Sequence, residues 1–209
     1  MKILVAAILV LGISSPLLAQ TTAQVFTAPK GAFQFNYDSP LVRCARVPTS
    51  AEGGNEWIPF PSCQNGVCED QALPSASTAA CVAYPHDEFS KKVAFGAAAF
   101  FVAEVESGST APVCLQADPA WQTESSANST LADEPSAQFR TVDHWMMHAR
   151  DSVIYRVFHQ GKCYEIGIQR VQVNTTAYDP GTFEEFTARD DARVEHRLGQ
   201  VLRSFRFLN

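Results

Sequence analysis

Apolar and polar residues alternate with a period of two along much of this chain, the pattern of strands that bury one face. Phe33, Phe35 and Tyr37 alternate with Gln34 and Asn36, and Asp38-Ser39-Pro40 turns the chain. Residues 41–47 and 79–84 are shorter apolar runs, the second stopped by Pro85. Residues 93–106 are apolar without alternation. The alanines of this run allow a helix, but Phe100, Phe101, Val102, Ala103 and Val105 read better as a strand buried on both faces, with Gly96 at a bulge. Residues 139–148, 152–160 and 163–173 predict consecutive strands, with turns at 149–151 and at Gly161-Lys162.

The period then changes. Thr182 and Glu185 match a capping box, after the turn at Asp179-Pro180-Gly181. Phe183, Phe186, Val194, Leu198, Val201, Leu202 and Phe205 recur at helical spacing and predict a long C-terminal helix. Asp190, Asp191, Glu195 and His196 fall off that stripe and read as its solvated face. Between the strands, residues 49–55 and 69–78 read as loop and linker. Residues 118–136, rich in Ser, Thr, Asp, Glu and Ala, predict a long mobile loop. There is no internal repeat. The pattern predicts an α+β fold: an antiparallel sheet packed by helices, including a long C-terminal helix.

Two stretches resemble the ends of PsbP-like domains. One is the Phe-x-Phe-x-Tyr-x-Ser-Pro strand from Phe33 to Pro40. The other is the Leu-x-x-Val-Leu-x-Ser-Phe-x-Phe pattern from Leu198 to Phe207. The resemblance implies an α/β/α sandwich around an antiparallel sheet, in a family of mostly binding or accessory proteins. The cysteines have no counterpart assigned in that family.

The N-terminus adds a compartment. Lys2 precedes an unbroken apolar run over residues 3–11, followed by Gly12, Pro16 and Ala19. This reads as a secretory signal peptide over residues 1–19, ahead of a single secreted or periplasmic domain over residues 20–209. A cut after Ala23 is the alternative. No cysteine near the junction could carry a lipid, and no later run reaches the ~20 apolar residues of a membrane span. The full chain has 16 basic and 22 acidic residues. Loss of Lys2 would take the net charge from −6 to −7. With no basic cluster, this argues against nucleic acid and anionic membrane surfaces as partners.

The six cysteines are Cys44, Cys63, Cys68, Cys81, Cys114 and Cys163, an even count that predicts three disulfides in an exported chain. A local bond between Cys63 and Cys68 is the natural first pairing, because Asn65-Gly66 between them is a strong turn signal. Their four-residue spacing disfavours a thioredoxin-like role.

Candidate chemistry centres on His144-Trp145-Met146-Met147-His148. On one continuous strand His144, Met146 and His148 would share a face and could ligate copper, while helical spacing of the two histidines would suit zinc. The position after His144 holds Trp145 where a zincin needs Glu. His159 is the one further imidazole in prospect across the hairpin. The ordinary reading is an exposed strand face with Trp145 and Met147 packed inside. His86-Asp87 could form an oriented acid–base pair, or simply a solvated loop. No nucleophile elbow, Ser-x-x-Lys or phosphate loop occurs. Asn128-Ser129-Thr130 and Asn174-Thr175-Thr176 match the glycosylation pattern. Trp57, Trp121 and Trp145 could line a groove. The reading that results is an exported, non-catalytic binding or accessory domain for a protein or small-molecule partner, with no cofactor expected. A metal-dependent enzyme on the His144/His148 face and a structural envelope protein are the alternatives.

Overall fold

The computed structural model describes residues 23–44, 46–48, 55–57, 63, 67–68, 76–85, 88–89, 93–106, 108–145 and 147–208. The expected leader, residues 1–19, lies outside them. In chain order the strands are β1 (Gln24–Thr27), β2 (Phe33–Tyr37), β3 (Val42–Cys44), β4 (Arg46–Pro48), β5 (Asn55–Trp57), β6 (Ala76–Ala83), β7 (Phe95–Val105), β8 (Thr123–Leu131), β9 (Glu134–Trp145), β10 (His148–His159), β11 (Lys162–Val173) and β12 (Arg206–Phe207). The helices are α1 (Ala111–Cys114), a single turn, and α2 (Ala188–Ser204).

Seven strands form one antiparallel sheet in the order β3-β6-β7-β11-β10-β9-β8. The long strands are short-looped hairpins. Ala132 and Asp133 take positive φ of 53° and 65°, and Gln160 and Gly161 take 47° and 79°, the left-handed pair that matches strand twist in a two-residue hairpin. β7 is buried on both faces, as its unbroken apolar run requires. The pairing of β7 with β11 shifts register between Val171, opposite Ala97, and Gln172, opposite Phe95, which places the expected bulge at Gly96. A Cβ at Gly96 would stand 2.8 Å from the Val171 carbonyl oxygen.

The two faces of this sheet are covered differently. Phe100, Val102, Tyr164, Ile166 and Val157 pack under α2 and a small sheet ordered β1-β2-β12, with Phe26, Phe35, Val194, Leu198, Val201 and Phe205. Phe101, Ala103, Val105, Ile154, Cys163 and Val171 face the other way, toward the cystines and the 106–122 segment. That segment exists because of topology. β7 lies third in the sheet and β8 at the far edge, so the chain between them must cross the face over β11, β10 and β9.

The structure corrects the expected architecture. The protein is predominantly antiparallel β-sheet, and among the described residues only two helices occur, one of a single turn. The α+β arrangement of a sheet packed by helices, and the α/β/α sandwich of the resemblance, are therefore replaced by a sheet with one helix on one face and a crossover on the other. The packing of α2 is thin, with three buried side chains, Val194, Leu198 and Val201. It also starts later than the stripe suggested. Thr187 and Asp190 form the capping box, and Phe183 and Phe186 lie in the loop before it. Phe186 still packs, 5.2 Å from Phe95 and 5.3 Å from Phe89 between ring centroids. Apolar spacing alone cannot tell a helical residue from a loop residue packed in line with the helix.

The expected loop at 118–136 contains β8. This edge strand is exposed along most of its length, so it buries no alternating face and left no apolar signal. The turn expected at 149–151 lies inside β10. The strands instead end at Trp145 and resume at His148. All six cysteines are paired, as three disulfides. The pairs are Cys44–Cys63, Cys68–Cys81 and Cys114–Cys163, so the local bond between Cys63 and Cys68 does not form. No helix among the described residues is long and apolar enough to cross a membrane.

Candidate ligand cleft under the crossover

A disulfide and an ion cluster are among the attachments that hold the crossover to the sheet. The first is covalent, the Cys114–Cys163 disulfide between α1 and β11. The second is ionic. Arg156 on β10 and Glu165 on β11 are cross-strand partners. The Arg156 guanidinium donates to Glu165 Oε1 at 3.0 Å from Nε and 2.5 Å from Nη2. Its Nη1 donates to the Gln116 carbonyl at 2.8 Å, and its Nη2 lies 3.4 Å from Asp118 Oδ2. The Trp121 ring covers it, 4.7 Å from the guanidinium carbon to the centroid. Asp118 Oδ1 also accepts from the Ala120 backbone N–H at 2.9 Å, tightening the turn that presents Trp121. Trp121 in turn meets Phe139 edge-on at 5.6 Å.

Arg156 is 5 % exposed and Glu165 0 %. A charge is buried only when paired and hydrogen-bonded. Here one cation faces two carboxylates. Burial pushes the Glu165 carboxyl above the ordinary range, Arg156 pulls it back, and Asp118 adds a smaller upward push. Glu165 Oε2 has no hydrogen-bond partner among the described residues.

Beside Trp121, between the crossover and the sheet, lies a cleft of about 150 Å³. Its floor is polar: Thr141 on β9, Ser152 on β10 and Gln169 on β11 are all buried. At its rim Arg150 donates to Asp143 Oδ2 at 2.6 Å. Register explains this grouping. Thr141 pairs with Ser152, Asp143 with Arg150, and Ser152 with Gln169, so these side chains share one face across three strands. A larger hollow of about 360 Å³ lies between β11 and the loop before α2. Its carboxylates, Asp179, Glu184 and Glu185, are exposed, so it has no buried polar floor.

The histidine pair is taken apart by the same register. His144 pairs with Ala149, and His148 with Trp145. Cross-strand partners share a face and successive residues do not. His144 and His148 therefore lie on opposite faces of the hairpin, because the strand reverses between them. Met146 lies outside the described residues, and Met147 is exposed rather than packed. His159 sits at the other end of β10 from His148, roughly 36 Å along the strand at 3.3 Å per residue. There its Nδ1 is 2.8 Å from Glu134 Oε1 and its ring stacks on Phe207 at 4.0 Å.

His86 and Asp87 lie outside the described residues. Asp190 caps α2 and Asp191 pairs with Arg170 at 2.8 Å. Glu195 and His196 are exposed, as a solvated face requires. Asn128 is exposed on β8. Asn174 is exposed too, its Oδ1 accepting from the Thr176 N–H at 3.1 Å. Of the tryptophans, Trp121 lines the cleft, and the side chains of Trp57 and Trp145 lie outside the described residues. Neither the family models nor the curated proteins match this chain.

The buried ion cluster escaped the sequence reading, yet a signal was present. Ile154, Arg156 and Phe158 share strand parity, so Arg156 falls on an apolar face. Counting back from the Gly161 turn places Glu165 opposite it.

Proposed function

We propose that this protein is an exported binding domain, secreted or periplasmic, whose ligand site is the Trp121 cleft. The apolar leader with its small-residue exit, and three disulfides of a kind typical of oxidising compartments, support the location. The observation that carries the reading is the buried polar floor of Thr141, Ser152 and Gln169, open to a cleft whose roof is braced by an ion cluster.

A cavity of about 150 Å³ is below the ~300–1,000 Å³ of drug-sized sites. The ligand is then small, or inserts a single group. Hydroxyl and amide groups at the floor can both donate and accept, and the Arg150–Asp143 pair presents both signs at the rim. These features fit a small polar molecule bearing hydroxyl or amide groups.

The test is a thermal-shift and NMR screen of small polyols, amino acids and sugars. A specific ligand should raise the melting temperature of wild type and lose that effect in Ser152→Val and Gln169→Leu. Binding that persists unchanged in both variants would place the site elsewhere.

A further inference from the structure

Two of the three disulfides are in contact. β3 and β6 set Cys44 and Cys81 directly opposite each other. Cys63 and Cys68 come from the intervening chain and bond to them crosswise, as Cys44–Cys63 and Cys68–Cys81. The sulfurs of Cys44 and Cys68, from different disulfides, are 3.4 Å apart. The sulfurs of Cys44, Cys68 and Cys81 all lie within 4.8 Å of one another. Two independent structural staples need no such contact. The third disulfide, Cys114–Cys163, is fastened to a different part of the sheet, on β11.

We propose that Cys44–Cys63 and Cys68–Cys81, whose cysteines are at most 3 % exposed, form a thiol–disulfide exchange centre that accepts two electrons from a small dithiol as its partner and ends as a Cys44–Cys68 disulfide with Cys63 and Cys81 reduced. Exchange proceeds by attack of a thiolate on one sulfur and expulsion of the other. A partner thiolate bonds to Cys63 Sγ and the Cys44–Cys63 bond breaks, leaving a Cys44 thiolate. Cys44 belongs to a buried cluster with Val67, Ala83 and Phe101, apolar surroundings that disfavour a thiolate. The electrophilic sulfur already in contact is Cys68. Formation of Cys44–Cys68 breaks Cys68–Cys81 and releases Cys81, which takes a proton. The partner's second thiolate then attacks the mixed disulfide and frees Cys63. The partner leaves oxidised to its own disulfide, and its two thiol protons balance those gained by Cys63 and Cys81.

Entry from the other side gives the same product. Attack on Cys81 releases Cys68, which bonds to Cys44 and expels Cys63. Both routes converge because Cys44 and Cys68 are the inner sulfurs of the cluster. The spacing of Cys63 and Cys68 disfavours a thioredoxin-type pair, and here they do not bond to each other. The chemistry runs between disulfides rather than within a Cys-x-x-Cys loop.

The experiment is partial reduction of the full mature protein by dithiothreitol without denaturant. It is followed by acid quench, alkylation and mass-spectrometric mapping of the two-electron-reduced species. The expected labels fall on Cys63 and Cys81, with a Cys44–Cys68 cross-link and Cys114–Cys163 intact. Labels on Cys44 and Cys63 together, or on Cys68 and Cys81 together, would overturn the proposal, since each marks a staple reduced alone. Cys81→Ser supplies a second measurement that needs no reductant. It leaves Cys68 unpaired against Cys44–Cys63, so alkylation should appear on Cys63. Alkylation confined to Cys68 would show that the contact does not exchange.

Discussion

Arg156 is the side chain on which the disulfide-rich face depends most. It joins two strands to the crossover by four contacts to Glu165, Gln116, Asp118 and Trp121. Arg156→Ala would leave the Glu165 carboxyl buried without its cation and remove one from Asp118, and breaking a buried pair in this way costs about 3–5 kcal/mol. Urea unfolding measures that loss. Quenched-fluorescence recovery of Trp121 would show that the roof has loosened with it. Glu165 predicts a pH effect. Its folded-state pKa is raised chiefly by burial, so the folded protein holds this proton more tightly than the unfolded chain. The associated stability is full below the ordinary glutamate value and is lost as pH rises through the raised folded value. Glu165→Gln should therefore flatten the decline in stability between the ordinary and the raised value. Parallel pH profiles for wild type and variant in denaturant unfolding would show no Glu165 linkage. At this scale the sequence holds a parity anomaly, an arginine on an apolar strand face, and it becomes meaningful only once the turn register is known.

Elements were legible in proportion to how much they bury. β7 could be read from composition because both its faces are covered. β9, β10 and β11 could be read in outline because their apolar residues pack, those of β10 and β11 on both faces of the sheet. β8 could not, because an exposed Ser- and Thr-rich edge has no period to detect. The histidine face failed for a related reason. A run read as one strand contains a reversal, and a reversal exchanges faces. Helix α2 offers a test of the period itself. Leu198 is fully buried, so Leu198→Ala should cost about 2–5 kcal/mol. Glu195 is exposed, and Glu195→Ala should stay within about 0.5 kcal/mol of wild type. Thr187→Ala removes the cap and should cost about 0.5–2 kcal/mol, whereas Thr182→Ala should not weaken the helix. Far-UV circular dichroism through the denaturant transition separates the two threonines.

At the scale of the whole molecule, the cleft is a consequence of strand order. A meander from β8 to β11 returns to pair with β7, so the chain must first be carried across the sheet to the far edge. That crossing supplies a roof for polar side chains which three strands bring into line. No local pattern announces it, because strand order is a long-range property. The Cys114–Cys163 disulfide pins the roof near its start, closing a sequence separation of 49 residues. Loop-closure entropy for a loop of that size is worth about 4 kcal/mol. Replacing both cysteines by alanine should lower stability by up to that amount, and the loss should be localised. Arg156 still holds the crossover at Gln116 and Asp118, so the segment between β7 and α1 is freed first. Limited proteolysis of the double variant should cut at 106–112 before it cuts any hairpin of the β8–β11 meander. First cleavage within the meander would mean that the disulfide stabilises the sheet as a whole and that the crossover is held by its ion cluster alone.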